Sequence, residues 1–162
     1  LPTRIGLHSG HLSLGSVGAI NHFEYRAVGD IVNTVSRIES LNKQLGTSIL
    51  VSADVLHQVD DFHTRELGGF FLSGKSKPVV LHELICLKDE SSEKHRNLCD
   101  FFAEALRAYR GQSWEKAIDK FKASLQISKK DGPSLFYLRL CEKYRENPPG
   151  ERWDGLVRFH KK

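Results

Sequence analysis

The stretch that most constrains this chain is residues 23–41, FEYRAVGDIVNTVSRIESL. It opens as an extended run, turns at Gly29 and Asp30, and then shows helical periodicity. Asp30 is the expected N-cap, because its carboxylate can accept hydrogen bonds from the free N–H groups of the first turn. The apolar residues at helical spacing are Ile31, Val35, Ile38, Leu41 and Leu45. The pattern therefore predicts a strand, a tight turn and a helix that buries one apolar stripe.

The opposite face of this helix is polar and carries two candidate catalytic residues, Asn33 and Arg37. Because they are four positions apart, their side chains lie one helical turn from each other and can reach the same point above the helix. An amide that fixes orientation and a guanidinium that neutralises anionic oxygen suit a nucleotide undergoing phosphoryl chemistry. The alternative is a solvated helix face, which is the commoner outcome for such a pair on spacing alone.

Further patterns accompany this helix: the run RIGLHSG at residues 4–10, glycines at positions 15 and 18, and Tyr25 ahead of the turn. Together with the V-N-x-x-x-R core at residues 32–37, they make residues 3–87 resemble the C-terminal half of the class III nucleotidyl cyclase catalytic domain. The resemblance implies an α+β fold with a partial ferredoxin-like, mostly antiparallel sheet and packed helices. It also implies that Asn33 positions the ribose and that Arg37 stabilises the transition state as the 3′-oxygen attacks the α-phosphate.

The resemblance further implies a homodimer with two shared sites. In that family one subunit binds two Mg²⁺ ions through two aspartates, and the other supplies the amide, the arginine and the base-recognising residues. Those aspartates lie ahead of the point where this sequence begins, and no aspartate here has a matching context. We therefore expect Mg²⁺ (or Mn²⁺) as the cofactor of the complete enzyme, no metal ligand in this chain, and no cyclisation of ATP by the chain alone.

Two substrate-binding candidates, Arg26 and Lys75, stand where the sequence departs from the family pattern. Arg26 occupies a position that usually holds Asp or Thr, and an arginine cannot accept a hydrogen bond from the adenine amino group. Ser73 stands where a lysine commonly reaches the terminal phosphates, so Lys75 is the candidate substitute. ATP is the expected substrate, and GTP stays open. The departures also leave open a catalytically silent cyclase-like module that serves dimerisation or regulation.

Residues 69–76, GFFLSGKS, match the phosphate-loop pattern G-x-x-x-x-G-K-[ST]. That motif requires a flexible loop that runs directly into a helix N-terminus. Here Phe70, Phe71 and Leu72 are strand-forming residues, and a proline followed by another strand-like run stands where the helix should begin. The pattern instead predicts a β-hairpin over residues 65–72 and 78–87, so we reject a phosphate-loop NTPase.

From Leu98 onward the periodicity is helical, with breaks at Gly111 and at Asp131-Gly132-Pro133. The run ALRAYRGQSWEKAIDKFKASL resembles a single tetratricopeptide repeat, although stacking normally needs about three. The expected organisation is a cyclase half at 1–88, a linker or helix start at 89–97, and a tetratricopeptide-like all-α extension at 98–145. A tail at 146–162 follows, in which Trp153 is expected to fold back on the helices. The extension is either a cap on the cyclase half or a surface for a protein partner.

Composition gives expectations for the partners, the redox state of the cysteines and the location of the protein. The net charge of +4 mixes both signs, so we expect no nucleic-acid partner. Three widely spaced cysteines predict free thiols in a reducing compartment. With no signal peptide or membrane span in the sequence, we expect a cytoplasmic location, and a parent anchored in a membrane elsewhere stays open. The absence of methionine suggests a piece of a longer protein.

Overall fold

The computed structural model describes residues 3–19, 22–57 and 59–159, and the side chains of residues 22 and 23 are outside that description. The elements follow one another in this order: β1 (Ile5–Leu7), β2 (Ser13–Ala19), β3 (His22–Val28), α1 (Asp30–Leu45), β4 (Ile49–Ser52), α2 (Ala53–Leu56), β5 (Phe62–Phe71), β6 (Val79–Leu87), α3 (Glu93–Arg110), α4 (Trp114–Ile127), α5 (Gly132–Glu146) and β7 (Val157–Arg158). The expected α+β class is confirmed.

Five strands form one sheet in the order β1-β4-β6-β5-β7. The central pairs β4–β6 and β5–β6 are antiparallel, whereas the outer pairs β1–β4 and β5–β7 are parallel. Strands β2 and β3 form a separate antiparallel hairpin that leads into α1. The predicted β5–β6 hairpin is confirmed, and the residues of the phosphate-loop pattern lie in β5 and in the turn after it, with no helix following.

Helix α1 buries three residues of its predicted apolar stripe, Ile38, Leu41 and Leu45, whereas Ile31 and Val35 are only partly buried. It ends at Gly46, whose φ of 68° is the left-handed conformation that glycine adopts at little cost. Its start differs from the prediction, because Gly29 is the N-cap residue and Asp30 already lies inside the helix. The Asp30 carboxylate pairs with Lys75 instead of capping the backbone, so the N-cap assignment of Asp30 was wrong.

The segment at 89–97 is structured along its length. Residues Lys88–Glu90 form a 3₁₀ turn, and α3 begins at Glu93. Ser92 and His95 form a capping box, in which each side chain accepts a hydrogen bond from the other residue's backbone N–H. The helix-start alternative therefore describes this segment better than a linker does.

One hydrophobic core joins the sheet, α1 and the helices α3–α5. Its members come from both halves of the chain, and the largest fully buried side chains are Tyr109, Tyr137, Phe70, Phe102, Phe121, Ile38, Leu45, Leu50, Leu67 and Leu81. The Tyr137 hydroxyl donates a hydrogen bond of 2.5 Å to the Leu67 carbonyl of β5, so α5 is also fixed to the sheet by a polar contact. The three helices thus form a layer on the sheet, which we call the helical layer.

The C-terminal residues return to the sheet. The ring of Trp153 lies 4.9 Å from that of Tyr109 and 5.2 Å from that of Trp114, between centroids, as its expected folding back on the helices requires. After it, β7 pairs in parallel with the end of β5, at Phe70–Val157 and Phe71–Arg158. The segment described up to residue 159 is therefore part of the fold, in contrast to the loosely held tail expected at 146–162.

All three cysteines are free, as predicted. Over the described ranges, the helices are too short or too polar for any of them to cross a membrane.

Candidate functional site

The β5–β6 turn lies against the polar face of α1. A backbone hydrogen bond of 3.0 Å from Lys75 N–H to the Leu72 carbonyl closes the turn. Gly74 adopts a φ of 71°, and a Cβ placed on it would be 3.4 Å from Nη2 of Arg37. The guanidinium of Arg37 therefore packs directly on the turn backbone, where glycine provides both the conformation and the space.

Arg37 also lines an open cavity of about 250 Å³ between α1 and the end of β5, which we call the Arg37 cavity. The other lining residues are Ser36, Ser40, Leu41, Gln44, Phe71, Leu72, Ser73 and Phe159. Arg37 is half-buried, and no carboxylate of the described residues lies within ion-pair distance of it. A partly desolvated guanidinium beside hydroxyl groups is suited to bind an anionic group such as a phosphate.

Lys75 approaches the same helix from the turn. Its ammonium group pairs with the carboxylate of Asp30, at the first turn of α1. The hydrogen bond from Lys75 is the main reason that the pKa of Asp30 lies below its ordinary value, and the positive charges of Lys75 and Arg37 lower it further. The start of α1 is thus surrounded by cationic groups, and Asp30 offsets part of their charge.

Of the four predicted site residues, Arg37 lines this cavity, Lys75 lies on the adjacent β5–β6 turn, and the other two are exposed. Asn33 is exposed on α1 and is not among the lining residues. Arg26 lies on β3, where it forms an ion pair with Glu24, and both side chains are more than half exposed. Of the four candidates, Arg37 and Lys75 are therefore brought together by the β5–β6 turn, whereas Asn33 and Arg26 face solvent.

The described residues do not fit a divalent metal site. No three His, Cys, Asp or Glu side chains in the described ranges are grouped closely enough to hold a metal ion. Asp30 is paired with Lys75 and Asp60 with Lys88, so these carboxylates are already engaged by ammonium groups. His8 accepts or donates a 2.8 Å hydrogen bond with the Ser52 hydroxyl and thereby links the end of β1 to β4.

A comparison with protein families finds a match for the first half of the chain. The family model for the adenylate and guanylate cyclase catalytic domain matches residues 1–85. The chain belongs to this cyclase family. The matched residues include α1, the end of β5 and the β5–β6 turn, which supply every lining residue of the Arg37 cavity except Phe159.

Individual relatives agree with the family assignment. The chain is 42% identical over 84 residues to "Adenylate cyclase 1" of Rhizobium meliloti, covering 51% of this chain and 13% of that protein. It is 28% identical over 144 residues to "Adenylate cyclase, terminal-differentiation specific" of Dictyostelium discoideum, covering 86% of this chain and 7% of that protein. The chain therefore spans a small part of each relative, and the second similarity extends into the helical layer of this cyclase-family chain.

Among solved structures, the adenylyl cyclase CyaB from P. aeruginosa matches with a TM-score of 0.42 and 27% identity, covering 52% of this chain and 40% of that chain.

Sequence reasoning did not identify Phe159 or Phe71 as neighbours of Arg37. Phe71 lies in a run that reads as buried strand, and Phe159 lies in a segment that was expected to be a tail. The one available signal was the run LVRF at residues 156–159, in which Val157 and Phe159 have strand-forming character within a mostly polar C-terminus.

Proposed function

We propose that this chain provides the arginine-bearing half of a nucleotidyl cyclase site that converts ATP to 3′,5′-cyclic AMP and pyrophosphate in intracellular signalling. The observation that carries the proposal is the half-buried side chain of Arg37, which lines a cavity formed mostly by residues of the segment that matches the cyclase family. In the proposed reaction the 3′-oxygen of ATP attacks the α-phosphorus and pyrophosphate leaves. GTP remains the alternative substrate, because Arg26 cannot accept a hydrogen bond from an adenine amino group.

Arg37 is proposed to act on the charge that develops on the phosphate oxygens. A guanidinium held in place before the reaction stabilises that charge without reorganising at the moment of reaction. Its contact with the turn at Gly74 fixes it, and partial burial strengthens its field relative to a solvated arginine. This combination supports a role in the transition state more than in ground-state binding.

The remaining candidates are assigned supporting roles in the proposal. Asn33 would orient the ribose from the exposed face of α1, and Lys75 would leave Asp30 to bind the terminal phosphates. The described carboxylates do not fit a Mg²⁺ or Mn²⁺ site, so we propose that the metal ligands come from residues outside this sequence. A second subunit is proposed to complete the site. The 162-residue chain alone is accordingly expected to form no cyclic AMP.

The proposal can be tested in a hybrid enzyme. The full chain replaces the matched 84 residues of the Rhizobium meliloti adenylate cyclase 1 and everything after them. Cyclic AMP formed from ATP is measured with Mg²⁺ or Mn²⁺, and Arg37→Ala is compared with the unchanged hybrid. We expect Arg37→Ala to lower kcat by about 10²–10³, the usual effect of removing one electrostatic donor, and to change KM much less.

The matched control is Arg139→Ala, because Arg139 is an exposed arginine on α5 outside the Arg37 cavity. This variant is expected to keep the activity of the unchanged hybrid. A large rise in KM at constant kcat for Arg37→Ala would instead make Arg37 a ground-state binding residue. Equal losses of kcat in Arg37→Ala and Arg139→Ala would contradict a specific catalytic role of Arg37.

A catalytically silent cyclase-like module is the second candidate, and the position of Arg26 favours it. Arg26 is engaged by Glu24 on an exposed strand, so the position that recognises the base in relatives is occupied here by an ion pair. On this alternative the unchanged hybrid folds and associates as a dimer but forms no cyclic nucleotide from ATP or GTP. Activity with either nucleotide would exclude the silent module.

A further inference from the structure

Residues 153–159, which we call the C-terminal strap, connect the helical layer to the Arg37 cavity. The strap begins at Trp153, whose ring packs among those of Tyr109, Trp114 and Tyr144. It ends at Phe159, which is one of the residues that line the Arg37 cavity. A single short segment therefore touches the aromatic cluster of the helices at one end and the candidate site at the other.

The path of the strap over the sheet is specified by close contacts. A Cβ on Gly69 of β5 would lie 2.4 Å from Cδ2 of Leu156. The side chain of Leu156 can therefore pack on β5 at this point because Gly69 has no side chain. Gly155 is buried with a φ of 73° beside Arg110 of α3, a conformation that other residues rarely adopt. Val157 is 3% exposed, and its backbone pairs with Phe70. The strap is thus held along its length before it reaches the cavity.

Two strap residues shape the cavity wall. The ring of Phe159 stacks with that of Phe70, with centroids 6.2 Å apart and planes 10° from parallel, and it contributes its own surface to the cavity. The guanidinium of Arg158 lies 4.5 Å from the ring centroid of Phe71, which is also a lining residue. Phe159 therefore bounds the cavity directly, and Arg158 does so through Phe71.

We propose that Phe159 is a positioning residue for Arg37. By filling one side of the Arg37 cavity, its ring limits the rotamers open to the Arg37 side chain and reduces the water around the guanidinium. Both effects keep the guanidinium against the Gly74 turn and strengthen its field. A purely structural Phe159 would contribute only to the stability of the strap. The catalytic consequence of the proposal rests on the proposed function, whereas the effect on Arg37 itself does not.

The first experiment measures Arg37 without requiring activity. The full chain is treated with phenylglyoxal, and the rate of modification at Arg37 is followed by peptide mass spectrometry. We expect Phe159→Ala to raise that rate about fivefold, because it releases an ordered side chain and admits water. The control is Phe101→Ala, a partly buried phenylalanine on α3 that lies outside the cavity. It is expected to leave the rate at Arg37 unchanged.

Thermal unfolding is measured in parallel to separate folding from positioning. Phe159→Leu, which fills part of the same space, is expected to fold and to give a smaller increase in the Arg37 rate. An unchanged rate in folded Phe159→Ala would overturn the proposal, as would an equal increase in Phe101→Ala. If Phe159→Ala does not fold, Phe159→Leu decides, and a rate equal to that of the unchanged chain overturns the proposal.

The second experiment places Phe159→Ala in the hybrid cyclase. We expect kcat to fall about tenfold with KM nearly unchanged, since the loss concerns an interaction that is strongest in the transition state. An inactive unchanged hybrid would count against the proposed function alone, because the phenylglyoxal rate still tests the positioning of Arg37. An active hybrid whose kcat is unaffected by Phe159→Ala would overturn the positioning role and leave the proposed function intact.

Discussion

Among the residues that the structure describes, Arg65 is the charged side chain that is most completely buried. It is 4% exposed, its guanidinium donates hydrogen bonds to Glu83 of β6 and to Asp131 at the start of α5, and it lies 4.6 Å from the ring centroid of Phe102. Burial acts to lower the pKa of Arg65, but the two carboxylates outweigh it and hold the pKa above its ordinary value. Burial also raises the pKa of Glu83, and the positive charge and hydrogen bonds of Arg65 offset part of that rise.

Removal of the Arg65 guanidinium should therefore destabilise the whole chain. We expect Arg65→Met to lower the free energy of unfolding by about 3–5 kcal/mol, because the buried Asp131 carboxylate and the partly buried Glu83 carboxylate lose their partner. Urea denaturation followed by circular dichroism measures the change. The control is Arg145→Met, whose partner Glu115 is exposed and lies at 3.5 Å, and it should change the stability by less than about 1 kcal/mol. Similar values for the two variants would show that the Arg65 network is not a stabilising contact.

At the scale of elements, α1 and α5 meet end to end. A Cβ on Gly132 would lie 2.2 Å from the Leu45 carbonyl oxygen and 2.7 Å from the Gly46 Cα, so the two backbones touch with no side chain between them. The carbonyl end of α1 faces the N–H end of α5, which is the favourable direction for helix dipoles. The helical layer thus rests directly on the helix that carries Asn33 and Arg37.

Gly132→Ala is expected to disturb both helices. Because the clash is with backbone atoms, the helix ends must move apart, and we expect a loss of about 1–3 kcal/mol in the free energy of unfolding. Thermal denaturation measures the loss. Gly15→Ala serves as control, since a Cβ there meets nothing within 4 Å. A Gly132→Ala variant as stable as Gly15→Ala would mean that the junction adapts without strain.

At the scale of the molecule, the cyclase-family half and the helical layer share one core. Phe70, Leu67 and Leu81 of the sheet belong to the same buried cluster as Phe102, Tyr109 and Tyr137 of the helices. A sheet of this size buries little surface by itself, and small domains are correspondingly marginal. We therefore expect the cyclase-family half of this chain to need the helical layer for a complete core.

We expect the full chain to unfold in a single cooperative transition, with tryptophan fluorescence and far-ultraviolet circular dichroism giving the same midpoint. The tryptophans, Trp114 and Trp153, report on the helical layer and the strap. A chain ending at residue 88 should lack a cooperative transition and bind the dye ANS. A chain ending at residue 159 is the control and should unfold like the full chain. Two separate transitions in the full chain would show that the halves are independent.

Local features of the fold could be read from the sequence because neighbouring residues determine them. The apolar stripe of α1, its end at Gly46 and the β5–β6 hairpin follow from periodicity and glycine chemistry, and each is present. The same reasoning rejected the phosphate-loop pattern, because strand-forming residues fill its interior. Asp30 shows the limit of this approach. The local pattern predicted that its carboxylate caps the backbone of α1, but the carboxylate pairs with Lys75, which lies 45 positions away in the sequence.

For the candidate site, too, the sequence predicted the local features and the fold determined the contacts between distant residues. A short run of residues was enough to indicate the family, the helix, and the pair Asn33 and Arg37 as candidate catalytic residues. The three-dimensional fold was needed to show that Arg37 lies against Gly74 and shares its cavity with Phe159, while Asn33 and Arg26 are exposed. The physical reason is that a side chain's surroundings depend on the path of the whole chain, here on helices and a strap that bring the C-terminus back to β5.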